Sequence, residues 1–227
     1  MVNMRKAIIL TVCVLFVAVL LPAVLHGEDV IAYIGEVGGQ VTVIKANPGE
    51  QVKAKTGMFL GAGDTIKTGD ESFTSIIFQD DGSRIKLGPV AMLTVNATRK
   101  QKQLDKKMFL ESGKLWAKVT KKRGTDVQIK TPTSVASVKG TKFILEEIEW
   151  GETWLWVLED VVQLSNEKGT WNITQGQKGK ATREDISVES LDIKDLPIEP
   201  GKHEIVVYFE QSGDLSLQRE LHIELER

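Results

Sequence analysis

Residues 131–143 read Thr131-Pro132-Thr133-Ser134-Val135-Ala136-Ser137-Val138-Lys139-Gly140-Thr141-Lys142-Phe143. Outside the N-terminal apolar run, no other stretch of the chain is so rich in small and β-branched side chains. Branched side chains pack well on a pleated surface, and small ones let neighbouring backbones approach, so the stretch predicts extended structure. Pro132 sets φ at its start and removes one donor, while Gly140 permits a bend or bulge before Phe143. It holds no nucleophile–base pair, metal cage or phosphate cradle. The stretch speaks to architecture and is silent on chemistry.

The same signals continue on both sides. Residues 30–45 alternate apolar and polar, with Val41 and Val43 on one face and Gly38-Gly39 as a tight turn. Asn47-Pro48-Gly49-Glu50, Asp80-Asp81-Gly82-Ser83 and Gly88-Pro89 are turn signals, and strands are predicted at 65–68, 73–78, 83–87 and 91–95. The expected fold is all-β, with roughly fifteen or more short strands arranged as a sandwich or a short solenoid-like stack. No tandem repeat of fixed period is visible. Helix is expected only in the N-terminal apolar run.

Several stretches together resemble the FecR domain. Thr131, Pro132, Val135, Ala136, Val138, Lys139, Gly140, Thr141 and Phe143 match its signature of a Thr-Pro pair and small residues leading to a basic residue, Gly-Thr and an aromatic. The resemblance includes Gly61-Ala62-Gly63-Asp64-Thr65-Ile66-Lys67-Thr68-Gly69, Phe78-Gln79-Asp80-Asp81-Gly82-Ser83-Arg84-Ile85-Lys86-Leu87 and Leu110-Glu111-Ser112-Gly113-Lys114-Leu115-Trp116. It extends to Trp156-Val157-Leu158-Glu159-Asp160-Val161-Val162 and Gln175-Gly176-Gln177, although Asp160 stands where a turn glycine is expected. The resemblance covers roughly residues 30–182 and implies a non-enzymatic interaction or signalling domain. Its structural signature here is Gly63, Asp64, Thr68, Thr131, Pro132, Gly140, Thr141 and Phe143. Full FecR-type regulators also carry a cytoplasmic segment that binds a sigma factor. Only six residues precede the apolar run here, so anti-sigma activity is not expected to carry over.

Arg5 and Lys6 precede nineteen uncharged residues, 7–25, with Pro22 near the end. This pattern fits a secretory signal peptide, and the run is also long enough to be retained as a membrane anchor. Either reading places the body outside the cytoplasm, in the bacterial periplasm or secreted. The expected organisation is residues 1–27 as signal peptide or anchor, 28–183 as the FecR-like domain, and 184–227 as an acidic segment ending in a β-hairpin with its turn at Gln211-Ser212-Gly213-Asp214. Cys13 is the only cysteine, so the body has no disulfide, thiolate metal site or cysteine nucleophile.

Net charge is −2 over 227 residues, but it is unevenly placed. Residues 99–123 hold ten basic side chains against Asp105 and Glu111, whereas residues 184–227 hold twelve acidic against four basic. Lys114, Trp116 and Lys118 share one strand face, so Lys114, Lys118, Lys121, Lys122 and Arg123 are a candidate anion-binding face, with a solubilised outer surface as the plainer reading. Trp150, Trp154 and Trp156 cluster, and the last two share a face as well; this Trp150–Trp156 face is a candidate glycan platform, or a buried anchor. The partner expected is an envelope protein or a glycan. Nucleic acid is not expected, because stacking aromatics are sparse in the basic stretch.

The catalytic and cofactor readings fare poorly. The glycines of 57–63 lack a following Gly-Lys-Ser/Thr, and Asp80-Asp81-Gly82 lacks the further ligands of a calcium loop. His203 and His222 have no third zinc ligand nearby in sequence. Glu146, Glu147 and Glu149 invite a two-carboxylate reading, but acidic neighbours at that spacing are expected to be solvated or paired with lysines. Asn96 and Asn172 read as ordinary strand or turn residues. No cofactor is expected.

Overall fold

The computed structural model describes residues 30–100, 103–122, 126–148, 151–197, 204–210 and 218–224. The apolar run 7–25, Arg123, Glu149, Trp150, His203 and the expected turn at 211–214 lie outside these residues. Among the described residues the regular secondary structure is nearly all strand, and its one helical element is a 3-10 turn, Ile193–Asp195.

The strands, numbered in chain order, are dealt between two sheets. The first sheet runs β4 (Phe59–Leu60), β1 (Ala32–Gly38), β6 (Phe73–Phe78), β7 (Arg84–Leu87), the second half of β9 (Gln103–Lys118), β12 (Lys142–Ile148), β13 (Glu152–Val157), β16 (Gln177–Ala181) and β17 (Ile186–Ser190). The second runs β3 (Gln51–Lys53), β2 (Val41–Ile44), β5 (Thr65–Thr68), β8 (Met92–Lys100), the first half of β9, β10 (Val127–Lys130), β11 (Val135–Val138), β14 (Val161–Asn166) and β15 (Gly169–Thr174). Every pairing is antiparallel except β9 with β10. From β9 onward, hairpins go alternately to one sheet and the other, so the chain advances along both together. The result is an open, two-layered stack joined through β9.

Local sequence explains the crossing points. Gly113 in β9 has φ +86°, and a Cβ there would sit 2.6 Å from the Ala91 Cα. Pairing with β8 ends at Ser112, and pairing with β12 begins at Gly113. The stretch 131–143, which reads as one extended run, is divided at a similar corner. Residues 131–134 turn between β10 and β11, residues 135–138 form β11 in the second sheet, and Gly140 delivers the chain to β12 in the first. Gly140 has φ +144°, a region effectively open to glycine alone.

Asp160 stands in for the expected turn glycine. It takes φ +56°, so the turn keeps the left-handed conformation a glycine would supply, and Asp tolerates it better than most residues.

Period-2 alternation places the core between the layers. Ile34, Ile76, Ile85, Leu115, Leu145 and Leu155 of the first sheet face inward with Val43, Ile66, Leu93, Leu110, Ile129 and Leu164 of the second, all fully buried. Burial of each such side chain contributes about 1.5–3 kcal/mol. The layers close tightly at β16, where a Cβ on Gly179 would lie 2.2 Å from the Ile173 Cδ1 of β15. The first sheet continues past residue 183 through β17, into the stretch where acidic residues begin to dominate. Two further strands, β18 (Glu204–Glu210) and β19 (Gln218–Glu224), pair with each other in a separate sheet.

Candidate functional site

The signature residues are fastenings. Asp64 is fully buried and accepts bonds from the Lys45 Nζ at 2.6 Å, the Ala46 amide at 3.0 Å and the Gly61 amide at 3.0 Å. Thr68 donates to the Gly88 carbonyl at 2.7 Å and accepts from the Ala91 amide at 2.8 Å, tying β5 to the β7–β8 connection. The Thr131 hydroxyl accepts from the Ser134 amide at 3.0 Å and meets the Thr153 hydroxyl at 2.6 Å, joining the turn of one sheet to a strand of the other. Phe143 is core and Thr141 is buried, whereas Pro132 is exposed in its turn. Gly63, at φ +90°, approaches Ala46 closely. Apart from the Thr141 hydroxyl, which is buried without a hydrogen-bond partner, these groups satisfy buried backbone and leave little to offer a ligand.

Two buried charged groups depart from the sequence reading. Glu147 was expected among solvated or lysine-paired carboxylates, yet it is 3% exposed and accepts from the Thr153 and Thr133 hydroxyls. Burial pushes its carboxyl above the usual carboxylate range, and the hydroxyl donors, Thr153 first, offset only part of that shift. Lys106, counted with the basic stretch, is fully buried rather than part of a solvated face. Its Nζ lies 2.9 Å from Asp80 and 2.6 Å from Asp81 and sits over the Phe78 ring. Burial pushes the Asp81 carboxyl up, but the Lys106 and Ser83 bonds outweigh it and hold the group below its usual value.

The outward face of the first sheet gathers a row of large side chains edged by cations. Register places Trp116 of β9 beside Ile144 of β12, Ile144 beside Trp156 of β13, and Trp156 beside Lys178 of β16. Lys86 of β7 continues the row beyond Trp116. The neighbouring row holds Lys114, Glu146, Trp154 and Lys180. Lys114 pairs with Glu146 at 3.1 Å and approaches the Trp156 ring; Lys178 and Lys180 flank the Trp154 ring at 5.8 and 5.4 Å. The face is thus an aromatic strip edged by cations, a chemistry suited to acidic and apolar groups together.

The structure sorts the sequence candidates. Lys114 and Lys118 lie on this face, Lys121 is exposed beside the Gly140 corner, and Lys122 donates to the Asp80 carbonyl at 3.1 Å. Trp154 and Trp156 do pair, with ring centroids 6.1 Å apart and planes 24° from parallel. Trp156 is only 7% exposed, however, so the two rings do not present the flat open platform a sugar would need. Trp116 and Lys178 were legible as residue types but not as members of one row, because their adjacency depends on strand register. Among the described residues, no group of three or more His, Cys, Asp or Glu side chains is placed to hold a metal ion.

Comparisons agree with this architecture. The family described as FecR protein matches residues 64–163. Two crystal structures of a candidate anti-sigma factor from Parabacteroides distasonis are similar at 12% identity, covering 57% of this chain and 61% of that one, with TM-scores of 0.48 and 0.50. At that identity the likeness concerns the fold, and it spans about three-fifths of the other protein's length. No curated protein matches the sequence.

Proposed function

We propose that this chain, which carries a FecR domain over residues 64–163, is a non-enzymatic regulatory module that works through protein contacts in the bacterial envelope. The observation that carries the reading is the lysine-edged row Trp116–Ile144–Trp156–Lys178 on the outward face of the first sheet. Elsewhere Asp64, Thr68 and Thr131 of the family signature are spent on fastening the fold. The extracytoplasmic location is supported by Arg5, Lys6 and the apolar run 7–25, acting as a signal peptide or a retained anchor. Anti-sigma activity is not part of the proposal.

Site-specific photo-crosslinking in cells tests the contact surface. A photoreactive residue at Lys118, on the proposed face, should give discrete protein adducts, while one at Gln163, on the second sheet, should not. Equal labelling from both positions would refute the assignment. Mass of the purified chain, with membrane fractionation, separates a mature protein beginning near Glu28 from an anchored one. Recovery in the cytosol with an intact N-terminus would refute the location.

A further inference from the structure

We infer that residues 191–197 act as a tethered ligand, and that the face beneath them is a binding site for a short acidic, proline-containing segment of a partner protein. This rests on the reading that the outward face of the first sheet is the contact surface.

The starting point is an anomaly of burial. Ile144 and Trp156 point away from the core, yet they are 2% and 7% exposed. Trp116 and Trp154 flank them on the same face, and a segment crossing the row completes such burial. The segment 191–197 is fastened at both ends of their row. Asp195 pairs with Lys178 at 2.8 Å, and the Pro197 carbonyl accepts from the Trp116 Nε1 at 3.3 Å. With strands about 4.8 Å apart, Trp116 and Lys178 stand three strand spacings, roughly 14 Å, from each other. Asp195 and Pro197 are only two positions apart, so the long Lys178 and Trp116 side chains reach them from opposite ends, and the segment between lies over the middle of the row, at Ile144 and Trp156. Upstream, the Leu191 amide donates to the Gly176 carbonyl at 2.8 Å, and Glu189 also reaches Lys178, at 3.5 Å.

The cover is attached but weakly so. Residues 191–197 belong to no strand, and Asp195 is 46% exposed in its ion pair. Exposed pairs of this kind contribute little. What keeps the segment in place is its tether, which gives it an effective concentration of the order of millimolar. A partner segment with the same chemistry and better contacts would displace it. The face reads three features of such a segment: Lys178 takes a carboxylate, the Trp116 indole N–H takes a backbone carbonyl, and Ile144 with Trp156 takes Leu or Pro. A lipid headgroup would engage only the first.

The test uses the full chain. Asp195→Lys with Leu196→Asp should release the cover, and near-UV circular dichroism checks that the body remains folded. A fluorescent peptide carrying the sequence of residues 189–197, Glu-Ser-Leu-Asp-Ile-Lys-Asp-Leu-Pro, is titrated by anisotropy. The released variant should bind it at least about tenfold more tightly than the wild type, since the tethered competitor is gone. Adding Lys178→Glu to the released variant should remove that gain. Equal binding by wild type and released variant, or a gain that survives Lys178→Glu, overturns the inference. Binding of the released variant to phosphatidylglycerol vesicles but not to peptide overturns it in favour of a lipid, and dimerisation on release overturns it in favour of a second copy. In both of those cases the contact surface itself stands, and crosslinking at Lys118 judges that reading separately.

Discussion

Replacing Gly140 by alanine adds one methyl group where the chain crosses between sheets. The added Cβ would lie 2.5 Å from the Lys121 Cβ, 2.6 Å from its Cα and 2.9 Å from its amide nitrogen. Two of those three atoms are backbone, so no rotamer change relieves the contact. The backbone conformation, φ +144°, independently costs about 1–3 kcal/mol for a residue with a side chain. Forcing the Lys121 backbone aside adds about 1–3 kcal/mol. The sum, roughly 2–6 kcal/mol, is a large fraction of the ~5–15 kcal/mol stability of a typical domain. Urea denaturation followed by tryptophan fluorescence should show the midpoint lowered by roughly 1–2 M. Gly82→Ala provides the control, because Gly82 has φ +72° but nothing within 4 Å of a modest methyl, so strain acts there without the clash. Its cost should be about 1–2 kcal/mol. If Gly140→Ala lowers the midpoint no more than Gly82→Ala, the close-packed corner is not what the glycine is for. Gly140→Val should be worse than alanine, since β-branching adds to both terms.

Lys106→Met should destabilise the fold by about 3–5 kcal/mol, because Asp80 and Asp81 would be left buried without their cation. Asp81 has a folded pKa below its unfolded one, so its contribution is present above the unfolded value and is lost as pH falls through the folded one. Urea midpoints of the wild type should therefore fall on acidification toward pH ~3, and that dependence should weaken in the variant. Glu147 runs the other way. Its folded pKa lies above the ordinary 4.5, so the native state holds the proton more tightly and stability declines as pH rises from that value through the folded one. Glu147→Gln, which keeps an acceptor for the Thr153 hydroxyl, should raise the melting temperature at pH ~7 and flatten this decline; a variant less stable than wild type at neutral pH would refute it. Asp160→Gly should raise the melting temperature slightly, by a gain under about 1 kcal/mol, since glycine adopts φ +56° without strain.

Much of the fold was open to reading in one dimension because its causes are local. Side-chain alternation every second residue marks Val41, Val43, Leu115 and Ala117 as inward-facing, and all four are buried. Turn chemistry places the break at Asp81-Gly82-Ser83, where Asp81 accepts from the Ser83 amide at 2.8 Å. Gly140 stands out in sequence because only glycine is indifferent to the sign of φ, and the corner it makes is the one that splits the deciding stretch into β11 and β12.

Alternation could not say which strands become neighbours, and that decided the site. Trp116, Ile144, Trp156 and Lys178 are separated by 28, 12 and 22 positions, intervals without a shared period. They form a row only because β9, β12, β13 and β16 pair in particular registers, and a one-residue slip in any pair would send its side chains to the other face. Burial of charge was likewise hidden. Lys106 looks like its basic neighbours until β9 brings it to Asp80 and Asp81, and Glu147 looks like Glu146 until the threonines of the 131–134 turn close over it. Sequence alone determined the strands, the turns and the glycine corners, since each depends on residues within a few positions of one another. Only the tertiary structure decided the outward row, its cover and the buried charges, because these depend on which distant strands the shared core brings side by side.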